Sequence, residues 1–117
     1  RRDLQAQAKK AGKPWDTAKG FDCSAPISKI HRAADIGHPD KGRIWLAVNG
    51  KVRQDGNLDE LIWSVPEAVA ELSTYFELRP GDLLFTGTPS GVGAVQRGDR
   101  ITGGVDGIDE IAVEIAA

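Results

Sequence analysis

Hydrophobic positions in this chain recur with two periods, and the predicted elements follow from them. Leu4, Ala8 and Ala11 share one helical stripe within Asp3 to Ala11, a run of good helix formers that Gly12 and Pro14 stop. Val65, Val69, Leu72 and Phe76 repeat the spacing over Ser64 to Phe76. There Ser64 is a cap with Glu67 three residues on, and Pro66 sits in the first turn. This pattern predicts an amphipathic helix laid on a sheet, with a structural role. The period changes to two in Ile44 to Val48, a strand, and Asn49-Gly50 is a two-residue hairpin signal with Lys51 to Gln54 returning. Asp55-Gly56-Asn57 is expected to end that hairpin. Ile101 to Val105 and Ile108 to Ile115 predict a final antiparallel pair joined at Asp106-Gly107, after a turn at Arg97-Gly98-Asp99-Arg100. Leu83, Leu84 and Phe85, preceded by the turn Pro80-Gly81-Asp82, predict a short buried strand around which the chain is organised.

The remaining segments are less regular. Lys13 to Pro26 is too irregular for a helix, although Trp15, Phe21 and Cys23 suit burial. Lys29 to Arg43 carries both histidines, His31 and His38, without metal-ligand spacing, and reads as an exposed connection. Asp109, Glu110 and Glu114 alternate with Ile111, Val113 and Ile115, which makes them the wet face of a strand rather than a metal set. There is no internal repeat, linker or low-complexity run.

Composition narrows the classes. The 117 residues suffice for one small domain with a modest core. The net charge of −2 comes from interspersed acids and bases, so no basic footprint for nucleic acid exists. Lys9, Lys10 and Lys13 are the solvated end of a helix. A single cysteine, Cys23, excludes an internal disulfide and suits a reducing, cytoplasmic compartment. No apolar stretch reaches membrane-spanning length and no signal peptide is visible. No methionine occurs and the chain opens on Arg1-Arg2-Asp3, from which a truncated, processed or partial chain is expected.

Three places carry candidate chemistry, each with a plainer alternative. Leu83–Phe85 runs into Thr86-Gly87-Thr88-Pro89 and two further glycines, Gly91 and Gly93. Such a bend either offers hydroxyls and bare amides to an anion or is a tight turn that needs small residues. Lys19, among Thr17, Ala18, Gly20 and Phe21, is either a charge recruited for an anion or enolate or a snorkelling surface lysine. Arg2 and Gln5, three apart, point the same way from a helix start, as ligand contacts or as solvated polar residues.

A series of motifs in order then resembles a known family. Arg2-Asp3-Leu4-Gln5, Gly12-Lys13-Pro14-Trp15, Ala18-Lys19-Gly20-Phe21-Asp22 and Ser24-Ala25-Pro26 come first. Val48-Asn49-Gly50, Arg53-Gln54, Pro80-Gly81-Asp82 and Thr86 to Gly93 follow. Across essentially the whole chain, the series resembles the carboxy-terminal half of the fumarylacetoacetate hydrolase family, most of all its bacterial acylpyruvate and fumarylpyruvate hydrolase branch. The resemblance implies an α+β fold: a mixed, mostly β, barrel-like roll with flanking helices, incomplete at its amino terminus. Residues 1–117 would be the carboxy-terminal part of one catalytic domain, in a protein that is usually a homodimer.

The resemblance also implies chemistry on keto acids. Lys19 matches the family's active-site lysine, Arg2 and Gln5 match substrate contacts, and Thr88 with Gly87 beside it matches the group that holds the substrate carboxylate. Together these imply carbon–carbon bond hydrolysis of an acylpyruvate to pyruvate and a carboxylic acid, in aromatic-compound catabolism. Lys19 and a divalent cation, Mg²⁺ or Mn²⁺, would stabilise the pyruvate enolate. The family's Glu-x-Glu and Asp metal ligands, and the His/Glu pair that activates water in several members, lie ahead of the Arg-Asp-Leu-Gln motif. This chain is therefore expected to bind no metal tightly and not to turn over alone. Alternatives are an oxaloacetate-type decarboxylase, an isomerase of the same fold, or a non-catalytic truncated paralogue. No membrane or nucleic-acid partner is expected.

Overall fold

The architecture grows from the hairpin that Asn49-Gly50 closes. In a computed structural model, which describes residues 1–116, β1 (Arg43–Val48) and β2 (Lys51–Asn57) pair antiparallel around this turn. Asn49 and Gly50 both have positive φ, 50° and 77°, the two-residue geometry whose twist matches the flanking strands. β3 (Arg100–Val105) pairs with the other edge of β1, and β4 (Glu110–Glu114) pairs with β3. The strand order is β2-β1-β3-β4, and every pairing is antiparallel. Helices accompany a purely antiparallel sheet, with no parallel crossover, so the class is α+β. Among the described residues the sheet is open, with β2 and β4 at its edges.

The hairpin runs further than its sequence suggests. β2 continues through Asp55, Gly56 and Asn57 because Arg43 grips Asp55 with two charged hydrogen bonds, both 2.8 Å. The Asn57 side chain then accepts from the amides of Gly42 and Asp59, so the turn falls one step later, at Leu58–Glu60. At the opposite end Asn49 locks the hairpin to β3. Its side chain accepts from the Arg100 amide and donates to Asp99 at 2.8 Å.

The helices obey their local signals. α1 (Arg2–Lys10) ends where Gly12 N–H donates to the Lys9 carbonyl and Lys13 N–H to the Ala8 carbonyl, a Schellman arrangement. Within the segment expected to be irregular lies a helical turn, α2 (Asp16–Lys19), in which the Trp15 carbonyl accepts from Ala18 and Lys19. Packing on α1 stabilises this turn, and Ala18 is 2% exposed. α3 (Ala33–Ile36) is one turn within the connection that carries the histidines, and His31 there meets Asp109 at 2.9 Å. α4 (Val65–Ser73) forms with the expected reciprocal Ser64–Glu67 cap.

Other expectations also fail. Trp15 and Cys23, expected to be buried, are exposed, because no described segment covers the stretch that carries them. α4 stops before Phe76 and does not lie on the sheet; Val65 and Val69 stay exposed along a groove that they share with Leu58 and Leu61. Leu83–Phe85 is not a strand, and all three residues are exposed. An apolar run becomes a strand only beside a neighbour that completes its ladder, and no described segment pairs with it. Among the described residues the buried ones are Ala18, Ala47, Gln54 and Gly103. No helix among the described residues is long and apolar enough to cross a membrane.

Candidate active site

One wall of the site comes from the two amino-terminal helices. One turn of α1 separates Arg2 from Gln5, so the Arg2 guanidinium donates to Gln5 Oε1 at 3.0 Å. The arginine is thereby oriented while retaining further donors. The burial of Ala18 against α1 fixes the neighbouring Lys19 at the end of α2. Arg1 lies with its guanidinium 4.7 Å from the centre of the Phe21 ring.

The opposite wall is the glycine-rich bend docked on β2. The β1–β2 register slips between Leu46 and Ala47: Leu46 faces Gln54 while Ala47 faces Val52, leaving Arg53 as the extra residue of a bulge. At this bulge the bend comes close. A Cβ at Gly91 would collide with the Arg53 carbonyl, and Gly91 has φ of +100°, so a side chain is excluded on both counts. Gln54 Nε2 donates to Thr88 Oγ1 at 2.7 Å and to the Pro89 carbonyl at 2.6 Å. Gln54 is itself 8% exposed, and these bonds satisfy a polar group that would otherwise be costly to bury.

Between the walls lies a cavity of about 460 Å³. Arg2, Gln5, Lys19 and Thr88 all line it, so four of the five residues singled out from the sequence are brought together. Gly87 instead lines an adjacent recess beside Leu84 and Phe85, and Thr88 borders both spaces. Arg1 and Arg53 join Arg2 and Lys19 around the first cavity, and no Asp or Glu lines it. Such a lining favours an anion, because several cations converge on it with no carboxylate to offset them.

Sequence reasoning missed Gln54 as a site residue, although Arg53-Gln54 was one of the matching motifs. A glutamine inside a strand gives no warning of burial; the signal was the neighbouring bulge, visible only in the register. Among the described residues no three or more His, Cys, Asp or Glu side chains come together to hold a metal ion. The described residues therefore do not form a cage for the divalent cation that the family resemblance implies.

The site thus joins an uncharged, glycine-rich bend to cations carried by α1, α2 and β2 of an antiparallel α+β fold. The chain belongs to the fumarylacetoacetate hydrolase family, whose "Fumarylacetoacetate (FAA) hydrolase C-terminal" model matches residues 1–116. A fumarylpyruvate hydrolase of a Ralstonia species is 49% identical over 115 residues, covering 98% of this chain and 59% of the relative. The mitochondrial oxaloacetate tautomerase FAHD1 of Rattus norvegicus is 44% identical over 107 residues, covering 92% and 48%. The crystal structure of fumarylpyruvate hydrolase from Pseudomonas aeruginosa in complex with Mn²⁺ and pyruvate superposes with a TM-score of 0.95 at 52% identity. That match covers 98% of this chain and 49% of the other. The chain spans about half the length of the curated relatives it matches.

Proposed function

We propose that the chain is the substrate-clamping part of a hydrolase that splits a carbon–carbon bond in an acylpyruvate, such as a fumarylpyruvate-like β-diketo acid. Residues 1–117 would form the carboxy-terminal part of a single catalytic domain. The observation that carries this reading is the convergence of Arg2, Gln5, Lys19 and Thr88, from three separate segments, on one cavity whose lining has no carboxylate. The kinship with fumarylpyruvate hydrolases, one of them solved in complex with Mn²⁺ and pyruvate, supplies the substrate class.

The chemistry assigns each residue a task. Arg2 and the Thr88 hydroxyl hold the carboxylate of the pyruvyl end, while Gln5 keeps Arg2 aimed. Water adds to the distal carbonyl, the adjacent carbon–carbon bond breaks, and the electron pair stays on the pyruvyl fragment as an enolate. The Lys19 ammonium, which lines the same cavity, would stabilise that negative charge as it develops. Protonation of the enolate carbon yields pyruvate, and the distal acyl group leaves as a carboxylic acid. A divalent cation, Mg²⁺ or Mn²⁺, would be held by residues other than those described. We further assign the protein to the cytoplasm, to aromatic-compound catabolism and to a homodimer, on the basis of the same kinship.

The oxaloacetate tautomerase relatives favour a second reading, in which the same clamp serves enolisation or decarboxylation of oxaloacetate. Both substrates carry the 2-keto acid end that the clamp would hold. Assay of the full-length protein with Mn²⁺ separates the readings. Stoichiometric pyruvate and carboxylic acid from an acylpyruvate support the hydrolase, whereas turnover confined to oxaloacetate supports the second.

A further inference from the structure

We infer that Gln54 is a positioning residue: it fixes the direction in which the Thr88 hydroxyl donates, making Thr88 a one-way donor to the substrate carboxylate. The inference rests on the clamp proposed for Thr88 and adds a residue to it.

The Pro89 carbonyl decides the orientation of the Gln54 amide. That oxygen can only accept, and it stands 2.6 Å from Gln54 Nε2. Turning the amide over would set Oε1 against a carbonyl oxygen, so the nitrogen must face this way. Its two hydrogens are then both committed, one to Pro89 and one to Thr88 Oγ1 at 2.7 Å. Thr88 Oγ1 accepts from Gln54 and cannot donate back to it. Among the described residues no other hydrogen bond engages the Thr88 hydroxyl, so its proton is available to a ligand in the cavity it lines. Burial of Gln54 and the close approach of Gly91 to Arg53 keep this relay from rotating away. A hydroxyl that can both donate and accept is thus biased toward an anionic partner, and no charge is buried in doing so.

Pyruvate affinity, measured calorimetrically on the full-length protein at saturating Mn²⁺, tests the inference together with KM and kcat. Gln54→Glu presents an acceptor where the donor was, drawing the Thr88 proton away from the ligand. It should weaken pyruvate binding by about 10-fold or more, the size of one lost hydrogen bond to a charged group, and raise KM more than it lowers kcat. Gln54→Met, which removes the donors without adding charge, should weaken binding roughly 3-fold and serves if Gln54→Glu does not fold. In a Thr88→Val background Gln54→Met should not weaken binding further, because Gln54 acts through that hydroxyl; Gln54→Glu does not serve in this comparison, since its carboxylate repels an anion whatever stands at position 88. A Gln54→Met loss that adds fully to that of Thr88→Val, or Gln54 variants that bind like the wild type, would overturn the role of Gln54 and leave the clamp intact. Normal pyruvate affinity in Thr88→Val alone would instead overturn the clamp, and this inference with it.

Discussion

Gln54 and Thr88, 34 positions apart, are joined by a 2.7 Å hydrogen bond between side chains. It ties the second strand of the hairpin to the glycine-rich bend, and so builds the wall that faces Lys19 across the cavity. The site is an agreement between distant segments, which makes it sensitive to substitutions of quite different kinds.

Removing the Lys19 ammonium should cost transition-state stabilisation without disturbing the fold, because the buried part of α2 is Ala18. In the full-length protein Lys19→Ala should lower kcat by about 10²–10³-fold, the scale of one preorganised donor at a developing oxyanion. Steady-state assay of pyruvate release checks this, and turnover at the wild-type rate would take Lys19 out of the mechanism.

Thr88→Val keeps the shape of the side chain and deletes its hydroxyl. KM for a keto acid should rise by roughly 10-fold, as expected for a hydrogen bond to a carboxylate, with a smaller change in kcat. An unchanged KM would contradict a carboxylate contact at Thr88.

At Gly91 the backbone itself is the obstacle. Gly91→Ala places a methyl group against the Arg53 carbonyl at a φ of +100°. Destabilisation of roughly 1–3 kcal/mol should appear in denaturant unfolding, and KM should rise because Thr88 moves with the bend. Retention of wild-type stability would mean that the bend docks elsewhere on β2.

Acid should loosen the junction between the hairpin tip and β3. The Asp99 carboxyl is held below its ordinary range first by the Gln96 amide and then by the Asn49 side chain, with the Arg53 charge helping and partial desolvation opposing. A carboxyl depressed in the folded state contributes stability above its unfolded pKa and loses it as pH falls through the folded value. The gap in Tm between wild type and Asp99→Asn should therefore narrow as pH is lowered from about 6 to about 2.5. A gap that widens in acid would contradict the linkage.

The helix caps, the hairpin tip and the final strand pair are legible in the amino-acid order alone, because each is decided within a few residues. Ser64 and Glu67 cap each other across one turn, and Asn49-Gly50 adopts positive φ on its own account. Local signals mislead where a distant partner decides. Asp55 looks like a turn residue until Arg43 holds it in the strand, and Leu83–Phe85 looks like a strand although no described neighbour pairs with it.

The amino-acid order by itself determined the local elements, the α+β class and, through its motifs, the family; it also named Arg2, Gln5, Lys19 and Thr88 as residues with chemistry. Only the tertiary structure placed those four around one cavity, set Gly87 in the adjacent recess and revealed Gln54 beneath Thr88. Caps and turns close over three or four residues, where spacing alone dictates contact. A cavity forms where segments far apart in sequence meet, and here a bulge at Arg53 and the missing side chain of Gly91 let them approach.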